Sequence, residues 1–144
     1  MLLRLSVRNF AVLENIELDF SKGMTVLTGE SGAGKSKIIE AISYLEGRRA
    51  SAEDIRYNSS GAVIEGVFDF PASSKLSRVL ESLGIAEDEL YIIRREVMAN
   101  SKSLIKINNQ MITLNNLKQI MELVLSIQSQ SSQGTVLQKG EQIE

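Results

Sequence analysis

The 144 residues include no cysteine and no histidine. The first absence excludes disulfides and cysteine metal sites, and it accords with a cytosolic protein. The second removes histidine acid–base chemistry and the usual zinc ligands. Charge of one sign is also scarce: Lys and Arg number 16 against 18 Asp and Glu, a net charge of −2. The chain therefore lacks the overall basic signature of a nucleic-acid binder, which leaves a local basic face open. No apolar run approaches membrane-spanning length, and the N-terminus carries no signal-peptide pattern. What is present, 43% hydrophobic residues, suffices for the core of one modest domain or part of a larger one.

The densest information lies at Gly29-Glu30-Ser31-Gly32-Ala33-Gly34-Lys35-Ser36, a complete G-x-x-x-x-G-K-[ST] pattern. Its glycines let backbone N–H groups curl round an anionic phosphate without a Cβ in the way. Lys35 can reach the β- and γ-phosphates of a nucleotide, and the Ser36 hydroxyl can ligate Mg²⁺. The flanks agree. Met24 to Thr28 reads as a buried strand, and Ile38, Ile39, Ala41, Ile42 and Leu45 recur at helical spacing afterwards. Strand, glycine loop and helix are the order this motif requires.

The remaining pattern is α/β. Leu3, Leu5 and Val7 alternate with polar residues, as do Ile16, Leu18 and Phe20, so two or three strands are expected within residues 1–28, ahead of the phosphate loop. Asn9 to Val12 connects them, and Ser21-Lys22-Gly23 turns into the Met24 strand. The motif helix is expected from Lys35 to about Glu46, with Gly47 as its cap, which closes the 29–47 segment. Arg48 to Ser60 carries no period and reads as a loop. A second β/α portion is expected over 61–125. It holds a strand from Ala62 to Phe70 stopped by Pro71, a short helix through Leu76, Val79, Leu80 and Leu83 capped by Gly84, and a strand from Glu89 to Val97. A hairpin turns near Asn108-Asn109, and a helix capped by Thr113 places Leu114, Leu117, Ile120, Met121, Val124 and Leu125 on one stripe. Residues 126–144 begin with a polar, low-complexity stretch that reads as a glutamine-containing loop. The chain stops at Gln142-Ile143-Glu144 without a terminating signal, as a truncated segment would.

A hydrolytic nucleotide site also needs an Asp at the end of an apolar strand for Mg²⁺, and often a Glu to orient water. Val67-Phe68-Asp69 is the nearest match, but Glu65 interrupts the apolar run and Phe70 follows the Asp. Asp69 reads instead as an exposed acid on an alternating strand, and Glu87, Asp88 and Glu89 as a solvated connection. Either the chain binds nucleotide without turning it over, or the rest of the site lies beyond residue 144.

Several segments share one resemblance. Arg8-Asn9-Phe10-Ala11-Val12, Ile16 to Phe20, Gly23 to Glu30 and the loop itself resemble the start of RecN-type DNA repair ATPases, relatives of the SMC proteins with ABC-type heads. The likeness continues at Gly47-Arg48-Arg49-Ala50, Arg94-Arg95, Ser101-Lys102-Ser103 and Ile107 to Leu114, and so covers most of the chain. It implies a P-loop NTPase fold: the N-terminal lobe of an ABC/SMC-type head, whose mixed sheet includes an antiparallel portion. In such a split head the C-terminal half returns after a coiled-coil arm with the signature motif, the Mg²⁺-binding Asp and the catalytic Glu. ATP and Mg²⁺ are the implied cofactors. Two heads would sandwich ATP as a homodimer, and hydrolysis would couple to DNA ends or single strands in repair of double-strand breaks and recombination. A bacterial cytoplasmic, nucleoid-associated location follows, with no membrane.

The resemblance also transfers residues. Gly29, Glu30, Ser31, Gly32, Ala33, Gly34, Lys35 and Ser36 match the nucleotide-binding loop position by position, with Lys35 catalytic and Ser36 on the metal. The family's glutamine loop, which helps hold Mg²⁺ and attacking water, falls on Gln130, with Gln133 second. Here the chain reads Ile127 to Gln133 without the histidines usual in the family. Arg48, Arg49 and Arg56 lie where SMC-type heads place arginines near nucleotide or DNA, or else on a solvated loop. Arg4, Arg8, Lys22, Arg94, Arg95, Lys102 and Lys106 would form a basic face if they converged; scattered surface charge is the default. Two rivals stand beside the ATPase reading. One is a non-hydrolysing, nucleotide-gated DNA- or protein-interaction module. The other is a small P-loop kinase, disfavoured by the twenty or so residues of strand ahead of the loop.

Overall fold

The computed structural model describes residues 1–20, 32–100 and 102–131. The strand read at Met24 to Thr28, the loop residues Gly29, Glu30 and Ser31, the basic Lys22, and Gln133 lie outside the described residues.

Six strands form one sheet, β1 (Leu2–Phe10), β2 (Leu13–Asp19), β3 (Gly61–Phe68), β4 (Tyr91–Met98), β5 (Ser103–Ile107) and β6 (Gln110–Met111). Their order is β2-β1-β3-β4-β5-β6, and every described ladder is antiparallel. This is the antiparallel portion expected of the fold. Three α-helices accompany the sheet among the described residues: α1 (Gly32–Leu45), α2 (Ser74–Ser82) and α3 (Leu114–Ser131).

Period-two alternation decides the two faces. Leu5, Val7, Ile64, Ile93, Val97, Ile105 and Ile107 are buried in one cluster with Ile38, Ala41 and Leu45 of α1 and Leu117, Ile120, Met121 and Val124 of α3. On the opposite face the register lines up Glu17, Ser6, Glu65, Arg94 and Lys106 across five strands. There Arg94 bridges Glu96 at 2.8 Å and Glu65 at 3.6 Å. The result is a mixed-charge face rather than a basic one.

Turn chemistry explains the junctions. Asn108 and Asn109 take φ of 48° and 73°, the paired left-handed geometry of a two-residue hairpin turn. Thr113 Oγ1 accepts from the Asn116 N–H, and Asn116 Oδ1 accepts from the Thr113 N–H, so each residue caps the other at the start of α3. Ser73 does the same for α2 by accepting from the Leu76 N–H.

Three boundaries differ from the sequence reading. Helix α1 begins at Gly32, not Lys35, although glycine has little intrinsic preference for helix. Helix α3 runs on through 126–131, where a loop was expected. That stretch has no glycine or proline, and half-buried Ile127 extends the stripe of Leu117, Ile120 and Val124 onto the core. The stretch from Arg48 to Ser60 is not a free loop. Its Ala52–Asp54 turn is bonded to the β1–β2 hairpin, by Ala11 N–H to Asp54 O at 2.7 Å and Arg56 N–H to Asn9 O at 2.7 Å.

Candidate nucleotide-binding site

Helix α1 carries the motif's second half. Gly32, Ala33, Gly34 and Lys35 form its first turn, and Ser36 follows with an exposed side chain. The first four N–H groups of any α-helix lack an intrahelical acceptor and point out along the axis, where the positive end of the helix dipole adds to them. No acidic residue occupies that first turn, so the turn itself supplies no carboxylate to compete for these donors. The donor set suits an anionic phosphate. Lys35 and Gln130 are described as backbone positions, Lys35 in the first turn of α1 and Gln130 in the last turn of α3.

Behind that end, Ile38 and Ala41 seat α1 on the core, and two contacts fix its C-terminal end. Gly66 on β3 leaves room for Leu45: a Cβ at residue 66 would stand 2.6 Å from Leu45 Cδ1. Helix and sheet approach that closely only because the strand has no side chain there. The second contact is Arg95, 1% exposed on β4, whose guanidinium donates to Tyr44 O at 2.9 Å and to Arg48 O. Burial pulls the pKa of Arg95 down from its ordinary value.

Tyr44 is the hub of this end. Its ring meets Phe10 edge-on at 5.3 Å and lies beneath Arg95 at 5.1 Å and Arg48 at 5.5 Å. Its hydroxyl donates to Asp54 Oδ2 and accepts from the Ser51 N–H at 3.1 Å. Burial, reinforced by the bond to Asp54, raises the Tyr44 pKa to about 12.

The structure separates residues that sequence grouped together. Arg94 and Arg95 cannot share a basic face, because neighbours on a strand point to opposite sides; Arg94 is at the surface and Arg95 in the core. Arg48 is held near Glu40 Oε1 at 3.9 Å, and Arg56 donates to Val12 O at 3.2 Å and lies 4.0 Å from Glu14. Arg49 is exposed. Asp69 is exposed, and its carbonyl accepts from the Met1 ammonium at 2.7 Å, while Glu87, Asp88 and Glu89 are all exposed. Sequence reasoning passed over Tyr44 and Asp54, and it placed Arg95 with the surface cations rather than in the core. The available signal was Tyr44 at three residues from Ala41 on the buried stripe of α1, a position where a hydroxyl needs a partner.

Comparison with known proteins agrees with this architecture. The RecF/RecN/SMC N terminal domain matches residues 1–135. The DNA repair protein RecN of Halalkalibacterium halodurans is 43% identical over 140 residues, which cover 96% of this chain and 25% of that protein. RecN of Bacillus subtilis is 41% identical over 131 residues, covering 90% of this chain and 23% of the relative. The chain thus spans about a quarter of the length of these curated relatives. Among solved structures, a chain described under ATP-driven dimerization and DNA-stimulated activation of SMC ATPases superposes with a TM-score of 0.65. It is 23% identical, over 86% of this chain and 79% of that one. The recombination mediator RecF with bound ATP analogue gives a TM-score of 0.60 at 20% identity, over 81% of this chain and 29% of that one. The fold is therefore that of an SMC/RecF-type P-loop ATPase head lobe, and the chain belongs to the RecF/RecN/SMC N-terminal-domain family as a RecN-type member.

Proposed function

We propose that this chain is the ATP-binding lobe of a RecN-like ATPase head that acts in repair of DNA double-strand breaks and in recombination. The observation that carries the reading is the G-x-x-x-x-G-K-S sequence whose second half forms the acid-free first turn of α1. Gly29 to Lys35 would hold the phosphates by backbone N–H groups and the Lys35 ammonium, and Ser36, exposed at that end, would ligate Mg²⁺. When bound, the metal would neutralise charge on the β- and γ-phosphates. Gln130, at the end of α3, is the glutamine we assign to Mg²⁺ and attacking water, with Gln133 next.

Turnover requires acids from elsewhere. Among the described residues no three Asp or Glu side chains converge on a common point. We assign the missing Mg²⁺-binding Asp and catalytic Glu to a C-terminal half, and head-to-head dimerisation to ATP binding. DNA ends or single strands are the assigned substrate surface and the bacterial cytoplasm the site of action. No described helix is long and apolar enough to cross a membrane.

Two measurements test this. Lys35→Ala should weaken ATP binding about a hundredfold while the protein stays folded, because it removes a charge-assisted contact to phosphate at an otherwise intact helix end. Unchanged affinity in a folded variant would refute the site. Mixing the chain with its C-terminal half should release phosphate; bound ATP without turnover in that complex would favour the nucleotide-gated interaction module instead.

A further inference from the structure

We propose that Arg95 is a positioning residue for the phosphate loop: from β4 it grips the C-terminal end of α1 and so sets where the helix's phosphate-facing start stands. The inference rests on the phosphate-loop reading of residues 29–36.

Burying Arg95 is costly. A guanidinium that is 1% exposed has given up its water, and its Nε has no hydrogen-bond partner. Such a group persists where opposite charge or good acceptors compensate it. None of the ion pairs formed among the described residues includes Arg95. Its acceptors are the carbonyl of Tyr44, in the last turn of α1, and that of Arg48 just beyond. The last carbonyls of a helix lack intrahelical donors and carry the negative end of its dipole. Arg95 therefore pairs with the helix terminus itself.

Packing alone does not call for an arginine here. The same face of β4 carries Ile93 and Val97, and the cross-strand neighbours of Arg95 are Ile64 and Ile105. An apolar side chain would fill that place without the cost of a buried charge. What an apolar residue cannot do is fix the helix end by directed hydrogen bonds.

Leverage connects that end to the phosphates. Both of these contacts, Arg95 on Tyr44 O and Leu45 over Gly66, sit at the C-terminal end of a helix of 14 residues whose middle is seated on the core by Ile38 and Ala41. With the middle seated, a tilt of about 5° moves the helix start, about 10 Å away, by about 1 Å. Misplacement on that scale is enough to weaken phosphate binding strongly. A side-chain path parallels the helix: Arg48 and Lys37 both reach Glu40 Oε1, at 3.9 and 3.2 Å, and Lys37 adjoins Ser36.

The test measures MgATP affinity in the intact protein for Arg95→Met and Arg95→Lys, beside Lys35→Ala, with thermal midpoints for each. Arg95→Met should stay folded and bind ATP about tenfold more weakly, while Arg95→Lys, which keeps a cation that donates to carbonyls but loses the planar stack on Tyr44, should recover part of that loss and fall between the neutral variant and wild type. If Arg95→Met does not fold, Arg95→Gln takes its place with the same expectation. Wild-type affinity in the neutral variant, or a lysine variant as weak as the neutral one, overturns the proposal. If Lys35→Ala loses ATP while the neutral Arg95 variant does not, only the positioning role fails. If Lys35→Ala also binds normally, the phosphate-loop reading falls and the positioning role with it.

Discussion

Tyr44 shows how much one side chain can organise. It meets Phe10 edge-on, underlies two arginines and donates to Asp54, so it joins α1, the β1–β2 hairpin and the 48–56 segment. Tyr44→Phe keeps the ring and removes the hydroxyl, which leaves the Asp54 carboxylate and the Ser51 N–H without that partner. The expected loss is about 1–2 kcal/mol in chemical denaturation at neutral pH. The loss has a pH signature. The folded pKa of Tyr44, about 12, lies above the unfolded value near 10. The neutral phenol therefore stabilises the fold fully below about pH 10, and the contribution disappears as pH rises toward about 12. Unfolding curves of wild type and Tyr44→Phe should converge across that window. A constant gap between them would show that Tyr44 is not the titrating group.

At the scale of elements, glycine governs two contacts for different reasons. Gly66 is a matter of space. An added Cβ would meet Leu45 Cδ1 at 2.6 Å, and Leu2 and Phe68 at 3.0 Å, all of them side-chain atoms that can shift. Gly66→Ala should then cost about 1–3 kcal/mol, read as a lowered thermal midpoint, by lifting α1 from the sheet. Gly47 combines space with conformation, since its φ is +109° and a Cβ would stand 2.6 Å from Lys118 Cγ. Thr113→Ala removes the acceptor at the start of α3 and should cost about 1 kcal/mol.

Local chemistry made these features legible in advance. Gly47 and Gly84 were readable as helix ends because a left-handed residue there favours glycine, and both have positive φ. The Asn108-Asn109 turn and the Thr113 cap were readable for similar reasons. The end of α3 was not. Ser126 to Ser131 has weak intrinsic preference for helix, and Ile127 on the core decides the matter through contacts no local window contains.

For the whole molecule, the consequence is a two-layer body whose helices cover one sheet face and whose other face carries paired charges. Isolated surface pairs of this kind contribute little to stability, so the fold depends on the shared core. A ligand that binds only the folded state should therefore register as added stability. At a hundred times its dissociation constant, MgATP should add about 2.7 kcal/mol and raise the thermal midpoint by several degrees. Lys35→Ala should remove most of that rise. A midpoint that ignores ATP in the wild type would argue against nucleotide binding by this chain.

The sequence by itself determined the chemistry available to this protein. No cysteine or histidine means no thiolate or imidazole site, and the glycine-rich pattern ahead of α1 carries the proposed phosphate grip. These follow from residue types and short spacings, which act locally. Tertiary structure decided which charges belong to the surface and which to the core. Arg94 and Arg95 are adjacent and chemically identical, yet one joins an exposed ladder of carboxylates and the other holds the end of α1. That difference comes from the sheet register and from a helix docked on one face. The register pairs Arg95 with Ile64 and Ile105, and the docked helix end lies 51 positions from it, so only folding brings these residues together.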